Sequence, residues 1–140
     1  MRIMAIDYGD ARTGIAVSDL TNTLTGDAFV ISGHNSEKIA EEVAREAHAR
    51  DVGTLVMGLP RNMDGTFGPR AEKCRAFASL LETASGLPVV FWDERRTTVD
   101  AHRILSANGK RMIKHRKTVD AVAASLILEG YLSSLPSSGL

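Results

Sequence analysis

Three short apolar runs crowd the first part of the chain, at residues 2–7, 15–18 and 28–31. The link after the first, Tyr8-Gly9-Asp10-Ala11-Arg12-Thr13-Gly14, is bracketed by glycines, and the link after the second, Asp19 to Gly26, is rich in turn residues. A parallel return needs a crossover of about a dozen residues or more, usually a helix. Neither link has helical patterning, so the three runs are expected to form an antiparallel meander of strands. Gly9 and Gly14 suit a tight hairpin there, and equally the close approach of backbone to a ligand.

Beyond residue 35 the pattern changes period. Ile39, Val43 and Ala47 recur at helical spacing among Glu41, Glu42, Arg45 and Glu46, with Asn35 or Ser36 as cap and a stop near Asp51-Val52-Gly53. A short apolar strand, 54–60, ends in Gly58-Leu59-Pro60. A polar loop follows from Arg61 to Gly68. Pro69 then suits the first turn of a helix that turns Ala71, Cys74, Phe77, Ala78 and Leu81 inward and ends at Gly86. Residues 88–92 read as a fifth strand. Thr97 or Thr98 caps a third helix carrying Val99, Ile104 and Leu105, which Asn108-Gly109 ends. A basic loop spans Lys110 to Lys117, Thr118 caps a last helix, and 135–140 reads as a disordered tail.

The order β-β-β-α-β-α-β-α-α predicts an α/β fold. Its sheet is mixed and five-stranded, three antiparallel strands then two parallel ones, with flanking helices. At 140 residues the chain reads as one domain, 1–134, able to bury a real core. Ligands in such sheets gather beyond the carboxyl ends of the parallel strands.

Bulk charge is uninformative, with 17 basic and 17 acidic residues. A single cysteine, Cys74, excludes an internal disulfide and reads as a small buried hydrophobe. His34, His48, His102 and His115 are scattered without zinc-ligand spacing. Arg2 and Asp7 interrupt the start too early for a signal peptide, and no apolar stretch approaches the roughly 18–20 residues of a membrane span. A cytoplasmic protein with no membrane partner is expected.

The distribution of charge is more telling than its sum. Asp7 ends the first strand, Asp93-Glu94 follows the fifth, and Asp120 lies near the start of the last helix on the face of Ala123, Ala124 and Ile127. Strand alternation points one of Asp93 and Glu94 into the crevice and the other away, and spacing alone does not choose. Each acid has a plain structural reading: a turn cap, a solvated cluster, a partner for the helix dipole. Three carboxylates meeting in one small volume would repel unless a divalent cation held them. Between two of them lies a strip, 95–117, with Arg95, Arg96, Arg103, Lys110, Arg111, Lys114, Arg116 and Lys117 against the single acid Asp100. Such a run is often only a solvated loop. Beside an anionic metal site it suits a polyanion, the strip holding phosphates while the metal acts on one. The 60–70 loop, with Arg61, Asn62, Asp64, Thr66 and Arg70, is either an exposed connection or a substrate clamp.

Four stretches together resemble one family. They are Ala5-Ile6-Asp7-Tyr8-Gly9 with Arg12-Thr13-Gly14-Ile15-Ala16-Val17-Ser18-Asp19, and Val56-Met57-Gly58-Leu59-Pro60 with Asn62 and Asp64-Gly65. The others are Trp92-Asp93-Glu94-Arg95 with Thr97-Thr98, and Val119-Asp120-Ala121-Val122-Ala123-Ala124. The chain resembles the YqgF, or RuvX, family of the ribonuclease H-like superfamily. The resemblance implies a ribonuclease H-like fold, a cytoplasmic bacterial nuclease, and an active site of Asp7, Glu94 and Asp120. It also implies maturation of the 5′ end of the small-subunit (16S) ribosomal RNA precursor, or resolution of Holliday junctions as in the RuvC resolvases. Arg96 departs from the family pattern, which commonly has an apolar residue after Asp-Glu-Arg.

On this reading the cofactor is Mg²⁺ or Mn²⁺, as two ions held by Asp7, Glu94 and Asp120. Expected substrate contacts are Arg12, Arg61, Arg70, Arg95, Arg96, Lys110, Arg111, Lys114, Arg116 and Lys117. Expected partners are nucleic acid, RNA rather than DNA, and ribosomal precursor particles, with the chain a monomer or homodimer. Two competing readings remain. Asp-x-Gly followed by Thr-Gly also suits the phosphate hairpin of actin-like and sugar-kinase ATPases, which need a second lobe. A non-catalytic nucleic-acid or ribosome-binding module would keep the basic strip without the chemistry.

Overall fold

The computed structural model describes residues 1–22, 24–60, 64–93 and 116–135, and of 116–120 the backbone alone. The elements in order are β1 (Arg2–Asp7), β2 (Arg12–Ser18), β3 (Thr25–Ser32), α1 (Ser36–Ala49) and β4 (Val52–Leu59). α2 (Pro69–Ser85), β5 (Val89–Asp93) and α3 (Arg116–Ser134) complete them. The strands form one sheet in the order β3-β2-β1-β4-β5. β1 is antiparallel to β2 and β2 to β3, whereas β4 is parallel to both β1 and β5. This is the mixed sheet expected, with β1 at its centre.

The sheet is covered on both sides, which is why β1 and β4 are nearly continuous apolar runs rather than alternating ones. Met4 and Ile6 point into a cluster with Leu55, Met57, Val43, Phe77 and Leu81, beneath α1 and α2. Ile3 and Ala5 point the other way, into a cluster with Ala16, Val56, Ala124, Ile127 and Leu128, beneath α3. α3 lies across β2, β3, β1 and β4. Cys74 is buried in the α1–α2 layer, as its place in the helical pattern predicts.

Local chemistry sets the helix ends. The N-cap of α1 is Asn35, whose side-chain oxygen accepts a hydrogen bond from the Lys38 N–H at 3.1 Å. α1 stops earlier than the expected 51–53: Arg50 is its C-cap, and Asp51 takes a left-handed φ of 56° before β4 starts at Val52. α2 starts at Pro69 and ends against Gly86, which is left-handed at φ 71°. α3 starts before Thr118, so the expected cap is an interior residue, and Arg116 and Lys117 are helical rather than in a loop. The short-range preference of a threonine for caps is overridden by the longer helix.

Strand ends also move outward. β2 begins at Arg12 and β3 runs from Thr25, because the ladder from Arg12↔Ser32 to Ser18↔Thr25 continues past the apolar runs into polar sequence. β3 is an edge strand with Thr25, Gly26, Asp27 and Ala28 on or near the surface, where polar residues pair at no desolvation cost. Arg50 packs against this strand: its Nη2 and Nε reach the Asp27 carboxylate at 3.2 and 3.3 Å, and its guanidinium lies 4.6 Å over the Phe29 ring. Arg50 also pairs with Glu46 one turn back on α1. The expected helix over 97–109 and the tail from 136 lie outside the described residues. No described helix is long and apolar enough to cross a membrane.

Candidate active site

Asp7 closes the central strand. It pairs with Gly14 of β2, and it shares parity with Ile3 and Ala5, so it stands on the α3 side of the sheet. Its neighbour across the ladder has no side chain, and Asp7 itself is half-buried. The parallel strands finish together at this end: Ile6 pairs with Met57, and Leu59 pairs with Asp93. The carboxyl ends of β1, β4 and β5 therefore meet on one border, the border that topology assigns to ligands.

The turn after Asp7 is tightly built. A Cβ on Gly9 would lie 2.2 Å from the Arg12 carbonyl oxygen, so only glycine closes this hairpin. That favours the hairpin role of Gly9 over a ligand role. Gly33 N–H donates to the Ala11 carbonyl at 2.9 Å, tying the turn to the end of β3. Tyr8, of opposite parity to Asp7, stacks on Phe77 of α2 with ring centroids 4.1 Å apart. Burial raises the Tyr8 hydroxyl pKa, and the nearby Asp10 carboxylate adds to the rise.

Arg70, in the first turn of α2, donates to the Tyr8 carbonyl at 2.7 Å. Its other nitrogen lies 3.9 Å from Asp10, and Lys73 Nζ lies 3.5 Å from the same carboxylate. Arg70 thus has one donor fixed on the backbone of Tyr8, the residue that follows Asp7. Arg12 opens β2 opposite Ser32 and is half-buried. In the 60–70 loop, Asp64 accepts from Thr66 N–H at 2.9 Å and from its hydroxyl at 2.6 Å. These bonds, the hydroxyl first, lower the Asp64 pKa. Arg75 of α2 lies 4.4 Å over the Phe67 ring. The described half of this loop is a turn closed on itself and seated on α2.

β5 carries the first of the two candidate acids at its end. Val89 packs in the α1–α2 cluster, while Trp92 packs with the α3 cluster, edge-on to Tyr131 at 6.2 Å. Asp93 shares parity with Val89. A Cβ on Gly130 would meet the Trp92 ring at 3.1 Å, so a glycine lets α3 approach that ring. Glu94 lies outside the described residues, as do Arg61, Arg95, Arg96, Lys110, Arg111 and Lys114. Asp120 is placed by its backbone in α3, past the first turn and one turn before Ala124, which is fully buried against the sheet. Arg116 and Lys117 precede it in the same helix.

Among the described residues no group of three or more histidines, cysteines or acids is placed to hold a metal. The donor chemistry fits a hard divalent cation all the same: Asp7 offers carboxylate oxygens at the crevice border. Lys73 and Asp10 were missed from sequence. The signal was there in Arg70 and Lys73 at i, i+3, which puts two cations on one face of α2.

Comparison with known proteins agrees with this architecture. The family model described as RuvX: Holliday junction resolvase matches residues 1–134. A protein of Thermoanaerobacter pseudethanolicus, provisionally named a pre-16S rRNA nuclease, is 38% identical over 135 residues, 96% of this chain and 97% of its own length. One of Pelotomaculum thermopropionicum with the same provisional name is 43% identical over 136 residues, 96% of this chain and 88% of its own. Among solved structures, RuvC of Thermus thermophilus superposes with a TM-score of 0.61 at 11% identity, over 96% of this chain and 98% of that one. The fold is ribonuclease H-like.

Proposed function

This chain belongs to the RuvX family, and from that premise we propose that it is a metal-dependent nuclease of the cytoplasm that matures the 5′ end of the small-subunit ribosomal RNA precursor. The observation that carries the reading is Asp7, at the carboxyl end of the central strand and on the α3 side of the sheet. The substrate follows the provisional name shared by the curated relatives.

Asp7, Glu94 and Asp120 form the catalytic centre and hold two Mg²⁺ or Mn²⁺ ions. Strand parity supports Glu94 over Asp93, since Trp92, two residues before Glu94, belongs to the α3 layer. Helix placement supports Asp120: beyond the first turn it is a poor partner for the helix dipole, and it precedes the sheet-facing Ala124 by one turn. Ions bound by these acids would supply an activated water and offset charge on the leaving oxygen of a phosphodiester. The protein's own residues position these parts. Asp7 offers its carboxylate from a rigid strand end, the Gly9 turn fixes the backbone beyond it, and Arg70 holds that turn by the Tyr8 carbonyl. Arg12, Arg61, Arg70, Arg95, Arg96, Lys110, Arg111, Lys114, Arg116 and Lys117 bind the phosphates of the strand.

Asp7→Asn removes one charged donor at nearly constant shape. Cleavage of a precursor ribosomal RNA fragment with Mg²⁺ or Mn²⁺ is expected to fall at least about a thousandfold, on the order of 4 kcal/mol of barrier, with the melting temperature retained. Wild-type cleavage by Asp7→Asn would end this reading. A second reading, resolution of four-way DNA junctions, is favoured by the family's description and by the RuvC-like fold. Symmetric cutting of a junction with no cutting of the RNA would establish it instead, and would call for a two-fold dimer.

A further inference from the structure

Behind the β1–β2 turn, on the side of the sheet opposite Asp7, lies a cavity of about 310 Å³. Tyr8, Asp10, His34, Ser36, Lys73 and Phe77 line it. Lys73 reaches one oxygen of the Asp10 carboxylate at 3.5 Å and Arg70 the other at 3.9 Å. Both contacts are long, and the Lys73 and Asp10 side chains are 62% and 67% exposed. Ion pairs of this kind are held weakly and are readily exchanged. Two cations spread over the two oxygens of one anion form an arrangement that the two non-bridging oxygens of a phosphodiester, which carries the same single charge, can also take up. The His34 ring and the Ser36 hydroxyl supply further polar groups in the lining.

We propose that this cavity is a phosphate subsite for the nucleic-acid strand flanking the scissile bond, with the Asp10 carboxylate as its place-holder. The proposal rests on the nuclease reading above for the identity of the polyanion. Tyr8 follows Asp7 directly with its side chain on the opposite face, so a strand passing over the β1–β2 turn would link the catalytic border to the cavity. The incoming phosphate displaces Asp10 and takes over Lys73 and Arg70.

The two lining charges then act with opposite sign. Binding of a labelled single-stranded RNA is measured without divalent metal over a series of salt concentrations. Lys73→Ala is expected to weaken binding about fivefold and to reduce the salt slope by about 0.7. Asp10→Asn is expected to tighten binding about threefold, by removing the competing anion. Arg45→Ala and Glu82→Gln make the same charge changes on α1 and at the far end of α2, and are expected to stay within about twofold of wild type. If Lys73→Ala and Asp10→Asn move binding no further than these two controls, the subsite is overturned. Cleavage by Asp7→Asn is scored separately: its persistence would sink the three-acid centre and leave the metal-free binding result to stand or fall by itself.

Discussion

The two faces of the sheet are packed by different means. Under α1 and α2 the strands present bulk, Met4, Ile6, Leu55 and Met57, against Phe77 and Leu81. Under α3 they present less bulk at the centre, Ala5, Ala16 and Val56 with Ile3, and the large Trp92 on the edge strand β5, against Ala124 and Leu128. The thick face holds the sheet together, and the thin face lets a helix come close. Asp7 follows Ile3 and Ala5 on the thin side, and Gly14 follows Ala16 beside it. An acid placed there has backbone nearby and no large neighbour on β2 to compete for the space above it. The same carboxylate on the thick face would be buried beside aromatic and thioether groups, a setting that penalises its charged form.

Truncation tests the thick face most severely. Phe77 is almost wholly buried and carries the Tyr8 stack, so Phe77→Ala is expected to cost about 3–5 kcal/mol. Urea denaturation gives that figure directly, and a cost below about 1 kcal/mol would show the face to be less tightly filled than its side chains suggest. The thin face should suffer from the reverse change. Ala124 is fully buried against the sheet, and Ala124→Leu is expected to cost about 1–3 kcal/mol by overpacking. Because α3 also carries Asp120, the same variant should lose cleavage beyond what its stability predicts; full activity at unchanged melting temperature would separate helix approach from the site. The smallest effect sits at the rim of the thick face, at Tyr8. The raised Tyr8 pKa means its neutral form is favoured in the fold, so this contribution is complete below the ordinary tyrosine value near 10 and fades as pH rises through the raised one. Tyr8→Phe should therefore flatten the alkaline decline of melting temperature slightly, and an unaltered decline would assign it to other groups.

Much of this was legible in the chain. The meander follows from links too short for crossovers, and the parallel half from helical periods alternating with apolar runs. Pro69 and Gly86 marked the ends of α2 because their backbone preferences act locally. Strand limits were less legible, since the β2–β3 ladder continues into polar sequence on backbone hydrogen bonds that side-chain patterning does not record. Asp7 could be read from its position at a strand end. The orientation of Asp93 could not, because it depends on which cluster Val89 and Trp92 join. The Asp10, Arg70 and Lys73 arrangement was hidden for a related reason: its partners are about sixty residues apart in sequence and meet only once α2 packs on the sheet, where Arg70 bonds the Tyr8 carbonyl and Tyr8 stacks on Phe77.

The outer border at β3 has a consequence for the company this chain keeps. An exposed strand edge is a template onto which another chain can zip by backbone hydrogen bonding, the first step of amyloid-like association. Arg50 places a cation beside that margin, over one face of β3, braced by carboxylates from two elements and laid over the Phe29 ring. A charge beside an exposed edge is one of the features that disfavour such pairing.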